Sequence, residues 1–269
     1  MIYKFPIDIT GNRVVYCAEL INGDLITLQK FFETEDKTAI CTAFEDLIKN
    51  KVNSQGYTLN CVDKLIILLE LRRNCISKVI DIIIDNKTTS VSLKDIIDNL
   101  NSNYEDKQLI ISDDNIKIKC NTPIFLSFYN LFYDYINKVQ LDNFEIILDD
   151  VNRFEILEEL PTSLIRKLNK IKHKFEQKNI KLFDIITDTE KTPYYFSYTS
   201  KEMYYLVVSC YRSNLQSLYK TQYICLTKLN VQPSEYTQLT PGETKILIKC
   251  LVDENEKQNK KPGLKQPLP

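Results

Sequence analysis

The sequence predicts an α+β fold. A mostly β amino-terminal part with hairpins and two helices spans 1–120, an α-helical part spans 121–257, and a flexible Pro/Lys-rich tail spans 258–269. Three observations carry this. Residues 109–119 alternate apolar and polar on both sides of a polar turn, a period of two. After Thr122-Pro123, a capping residue followed by proline at the first helical position, the period becomes helical. Thr240-Pro241-Gly242-Glu243 forms a capping box, in which the threonine hydroxyl accepts a first-turn N–H and the glutamate reaches back to the cap.

Taken in order, Ile2 to Ile26 reads as a β-hairpin, with Val14 to Ala18 strand-like and Asn22-Gly23 as the turn. Thr34 is placed to cap a helix that carries Ile40, Phe44, Leu47 and Ile48 on one face. Asn60 and Asp63 open a second helix through Leu65, Leu68, Leu69 and Arg72. Val79 to Ile84 is β-branched apart from Asp81 and reads as a buried strand. The spacing of Phe125, Phe128, Leu131, Phe132, Tyr135 and Ile136 predicts a helix. Pro161-Thr162-Ser163 starts another, with Leu164, Leu168, Ile171 and Phe175 as its apolar stripe. Tyr194 to Tyr198 is a short aromatic segment; helices follow from Lys201 and from Asn214. A last helix runs through Ile246, Leu247, Cys250 and Leu251.

Composition narrows the function classes. At 269 residues the chain can bury a sizeable core, and 43% hydrophobic with 26% charged residues is globular rather than disordered. A formal net charge of −1 argues against general polyanion binding, so no nucleic-acid partner is expected. No apolar run approaches the roughly 20 residues that cross a bilayer, and the first residues lack a secretory pattern. No membrane partner and cytosolic synthesis are therefore expected. Five glycines leave little material for phosphate-cradling loops, and none of the nucleotide or hydrolase fingerprints occurs. The eight cysteines never stand as Cys-x-x-Cys and read as reduced core thiols. No cofactor, metal or small-molecule substrate is expected.

Candidate chemistry is sparse. His173, the one histidine, lies among lysines on the polar side of a helix, without an orienting carboxylate or nucleophile. Asp149, Asp150 and Glu155, with Glu158 and Glu159, form an acidic block that could hold a divalent cation, but calcium-loop spacing is absent. A basic run follows, including Arg166, Lys167, Lys170 and Lys174. The adjacency of opposite signs reads as one salt-laced face or as two complementary patches that orient a neighbouring subunit. Tyrosines crowd the last third. Of these, Tyr194, Tyr195, Tyr198, Tyr219, Tyr223 and Tyr236 join the basic residues as candidate protein contacts, since tyrosine offers large area with a polar tip.

Several segments in order resemble the baseplate hub proteins of T-even-like contractile-tailed bacteriophages. They are the opening hairpin, Leu25 to Asp36, the helix ending in Ile40 to Val52, Asp63 to Arg73, Leu109 to Ile118, and Phe154 to Pro161 with its following helix. Leu215 to Thr221 and Leu239 to Glu243 complete the series, the latter similar to the capped start of the last family helix. Relatives often carry Cys-x-x-Cys pairs that suggest zinc knuckles; this chain has none, so a metal role does not carry over. The resemblance implies a non-enzymatic structural protein, made in the host cytoplasm and carried in the virion, whose partners are other phage tail and baseplate proteins. It leaves open an assembly chaperone absent from the mature virion. The residues leave open a small metal-dependent enzyme using Asp149, Asp150 and Glu155.

Overall fold

The first hairpin forms where β-branched residues cluster. In a computed structural model of the protein, β1 (Lys4–Ile9) pairs antiparallel with β2 (Arg13–Ala18), with Ile7 opposite Val15. Ile7, Ile9, Val15 and Cys17 are buried on alternate positions, as a one-sided strand pair requires. The turn is Thr10–Asn12, where Gly11 (φ 70°) and Asn12 (φ 57°) occupy the left-handed region that glycine and asparagine tolerate best. Asn22-Gly23, expected as the turn, instead opens helix α1 (Asn22–Thr34). The structure describes residues 4–84, 87–104, 108–113, 116–124, 126–128, 132–141, 144–147, 158–176, 180–186, 191–212 and 215–259.

Helix α2 (Lys37–Lys51) is capped by Asp36, whose carboxylate accepts the N–H groups of Thr38 and Ala39 at 2.9 and 3.2 Å. Thr34, the expected cap, instead closes α1 by donating its hydroxyl to the Phe31 carbonyl. The two-residue strand β3 (Val52–Asn53) extends the hairpin sheet beside β2. Helix α3 (Cys61–Cys75) starts at a reciprocal capping box between Asn60 and Asp63. It is apolar on nearly every side: Val62, Leu65 to Leu69 and Leu71 are all 0% exposed. Such a helix can only be a core spine. It packs against β1, α2, and two later helices, α4 (Leu93–Asn103) and α6 (Ser200–Tyr211).

Two buried charges hold that spine in place. Asp63 accepts from the Thr10 hydroxyl (2.5 Å), the Arg13 guanidinium (2.7 Å) and the Asn60 N–H (3.1 Å). Lys64 pairs with Glu45 at 2.6 Å, and the other Glu45 oxygen accepts the Leu126 N–H. Buried charges persist only when paired and hydrogen-bonded, and Asp63 and Lys64 both meet that condition.

Antiparallel hairpins fill the remainder. β4 (Val79–Ile84) pairs with β5 (Lys87–Ser92). β4 is one-sided rather than fully buried, since Ile80 is 3% exposed and Val79 43%. The alternation at 109–119 becomes β6 (Leu109–Asp113) and β7 (Ile116–Cys120), as expected. These continue through β8 (Ile136–Leu141) into β9 (Phe144–Ile147), a four-stranded meander. The expected helix from Phe125 to Ile136 does not form in the described part of that span. Residues 126–128 are irregular, Phe132–Tyr135 makes one 3-10 turn, and Ile136 begins β8. Phe125 and residues 129–131 lie outside the described residues. Helix α5 (Thr162–Glu176) covers one sheet face, its Leu164 and Leu168 packing on Ile111, Ile118, Cys120, Ile136 and Val139. The hairpin of β10 (Ile180–Ile186) and β11 (Lys191–Phe196) lies against α4.

Every strand pair among the described residues is antiparallel and helices occupy separate segments, so the fold is α+β. Two compact units result. The first comprises residues 1–19 and 35–211, the second residues 20–34 and 212–269. The change of period read near residue 121 falls inside the first unit, because β7 pairs with β8 across it.

The second unit joins α1 to α7 (Leu215–Lys228), α8 (Pro233–Gln238) and α9 (Pro241–Asn259). Its core holds Ile26, Cys225 and Tyr236, with Leu229, Val231 and Ile248 around them. The buried Asn22 amide donates to the Tyr236 carbonyl (3.1 Å) and to the Thr244 hydroxyl (2.7 Å), and its N–H to the Leu239 carbonyl. Residues 258–259 of the expected tail belong to α9; residues 260–269 lie outside the described residues.

Candidate functional site

The basic run is presented by α5 because its apolar residues fall at helical spacing and point to the sheet. Leu164 and Leu168 are buried, and Ile165 and Ile171 partly so. Arg166, Lys167, Lys170, His173 and Lys174 are exposed on the other side. Arg166, Lys170 and Lys174 recur every fourth residue, about 6 Å apart along the axis. Among the described residues none gives these three an ion pair or a hydrogen bond. Lys167 donates to the Ser112 carbonyl at 3.3 Å.

Some cations elsewhere in the first unit are paired. Arg73 pairs with Glu70 at 2.7 Å, and Lys181 and Lys191 share Asp184 at 2.7 and 3.0 Å. Hydrogen bonds from Lys181 and Lys191 hold the Asp184 carboxyl below the usual carboxylate range. Asp149, Asp150 and Glu155 lie outside the described residues, while Glu158 and Glu159 are exposed just before the helix.

The six candidate tyrosines divide. Tyr219 and Tyr223 stand one turn apart on α7 and are 43% and 66% exposed. Ile224 beside them, and Ile246 and Val252 on α9, are exposed too. On α9, Thr244 is buried and Ile248 packs on the core of the unit, with Leu247 and Leu251 half-buried. Tyr195 is exposed on β11, where strand alternation turns it opposite to its neighbours. Tyr194 is half-buried and stacked on Phe183 at 4.8 Å, and burial raises its phenol. Tyr198 and Tyr236 are core residues, a correction to their reading as contacts. Tyr198 donates its hydroxyl to the Leu100 carbonyl at 3.1 Å, and Tyr236 is 1% exposed with its phenol pushed up to about 12 by burial.

Nucleophiles are muted by the same packing. Burial pushes the Cys17, Cys61, Cys120 and Cys210 thiols up to about 12, and Cys41 to about 11. A thiol so far above neutral pH holds little thiolate, the form that attacks or ligates. A crevice lined by Cys41, Phe44, Met203, Tyr204 and Val207 has a volume of about 10 Å³, room for one water-sized body. Among the described residues, no group of three or more His, Cys, Asp or Glu side chains is placed to hold a metal ion. No described helix is long and apolar enough to cross a membrane.

The arrangement offers surfaces: a cationic strip on one helix of the first unit, and exposed aromatic and aliphatic side chains on two helices of the second. The sequence located the strip by residue type and period. It missed the exposure of Ile224 and Val252, because exposed aliphatics on a helix of mixed composition carry no distinguishing spacing. Compared with protein-family models, curated proteins and solved structures, the chain matches none.

Proposed function

We propose that the protein is a structural component of the baseplate hub of a contractile-tailed bacteriophage, acting through contacts with other tail and baseplate proteins. On this reading it is made in the host cytoplasm, retained in the virion and performs no covalent chemistry. One observation carries the contact role. Tyr219, Tyr223, Ile224, Ile246 and Val252 are exposed on two helices whose opening stretches, Leu215 to Thr221 and Leu239 to Glu243, carry the family resemblance. Exposed tyrosines and aliphatics of this kind supply the large contact area and polar tips that favour protein contacts.

The test is mass spectrometry of purified particles from a phage that encodes this chain. Stoichiometric presence in the tail fraction is expected, and incorporation should fall about tenfold or more when Tyr219 and Tyr223 are both replaced by alanine, as for paired interface anchors. Absence from mature particles despite abundance in assembling cells would replace the structural reading with the assembly chaperone.

A further inference from the structure

We propose that the outer face of α5 binds an acidic segment of a partner protein, whose carboxylates pair with Arg166, Lys170 and Lys174. The inference does not rest on the hub reading, since the strip belongs to the isolated chain.

Three features of the helix point this way. First, the cations repeat at four-residue spacing on the exposed face. Like charges four apart oppose helix formation, so this pattern carries a local cost. Second, none of the three has an ionic partner among the described residues; scattered lysines such as Lys94 and Lys201 also lack one, but these three stand in one row on a single helix. Third, the strip is braced from beneath by the fully buried Leu164 and Leu168. A partner would therefore meet a preformed row, which reduces the ordering cost of binding.

The row's dimensions select the ligand. Steps of about 6 Å match carboxylates at every fourth position of a helix. They also match alternate positions of an extended strand, about 6.6 Å apart. Arginine and lysine both pair with carboxylates, and Arg166 adds a bidentate fork that fixes register. Nucleic acid shares the negative charge but needs stacking rings beside the cations. The exposed described residues of this face, Thr162, Ser163, Arg166, Lys167, Asn169, Lys170, His173 and Lys174, include no Phe, Tyr or Trp. An acidic protein segment fits the face better.

The experiment uses the full chain and a fluorescein-labelled twelve-residue oligoglutamate peptide, read by anisotropy at low and moderate salt. Binding is expected, weakening as salt rises. Arg166→Gln with Lys170→Gln and Lys174→Gln should weaken it about tenfold or more, as for the loss of three exposed charge pairs. Arg166→Lys with Lys170→Arg and Lys174→Arg should retain it. A control with Lys94, Lys201 and Lys249 changed to glutamine, all exposed elsewhere, should bind as the natural chain does. Lack of peptide binding to the natural chain overturns the proposal, as does equal weakening in the control. Tighter binding of a twelve-nucleotide single strand than of the peptide overturns it in favour of nucleic acid.

Discussion

Cys17, Cys61, Cys120 and Cys210 show what burial does to a single side chain. Each is 0 to 3% exposed, and desolvation raises each thiol from an ordinary value of 9.0 to about 12. The folded state thus holds its thiol protons more tightly than the unfolded chain does. Stability from these groups is fully present below pH 9 and is lost as pH rises towards 12, at up to roughly 1.4 kcal/mol per pH unit for each thiol. Thermal unfolding midpoints should be flat from pH 7 to 8.5 and fall steeply above 9.5. Cys120→Ala should shallow that fall, and an unchanged slope would show that Cys120 is not shielded. The exposed Cys250 supplies an internal contrast: iodoacetamide at pH 8 should label it while these four remain unlabelled in the folded protein.

Capping was legible at some helix ends and not at others: Thr240 caps as read, whereas Asp36 rather than Thr34 caps α2 and the described residues directly after Thr122 form no α-helix. The box at Thr240 and Glu243 forms as read. The threonine N–H donates to Glu243 Oε2 at 2.7 Å, and the Glu243 N–H donates to Thr240 Oγ1 at 3.2 Å. Thr240→Ala should cost about 1 kcal/mol and speed amide exchange in the first turn of α9, measured by hydrogen exchange with mass spectrometry. Exchange unchanged there would show that packing alone sets the start of that helix. The helix at Thr162 and the hairpin at 109–119 were also legible, as was the α+β class they imply. What failed was read from local pattern where distant partners decide. Asn22-Gly23 is a strong turn dipeptide, yet the Asn22 side chain bonds the carbonyl of Tyr236 and the hydroxyl of Thr244, and no neighbouring residue announces that. Helical spacing from Phe125 onward was outweighed at its end by strand pairing: Val139 lies in register with Ile118 on β7 and with position 146 on β9. Of the candidate surfaces, the cationic strip followed directly from helical period. The tyrosines did not sort, because spacing alone cannot separate Tyr223 at the surface from Tyr236 in the core.

At the scale of the whole chain, the second unit is assembled from two pieces separated by the body of the first. Helix α1 supplies Ile26 to its core and the Asn22 amide that ties α8 to the first turn of α9. A fragment of residues 212–259 lacks both and leaves Cys225 and Tyr236 with an uncovered face. It should show little helix by circular dichroism alone and gain helix when a peptide of residues 20–34 is added. Full helicity of the isolated fragment would mean that α7, α8 and α9 suffice by themselves. The boundary expected at residue 121 could not have revealed this division, since no change in composition marks a helix given by one end of a chain to the other.

The early position of α1 also sets a schedule for synthesis. Its buried face, with Leu25, Ile26, Leu28 and Phe32, leaves the ribosome long before its partners α7 to α9 are translated. At roughly 5–20 residues per second, the nascent polypeptide carries that apolar face for on the order of ten seconds or more before its docking site exists. During this interval the segment is a natural substrate for holding chaperones, and slowing elongation in the intervening stretch should increase the fraction of chains lost to aggregation.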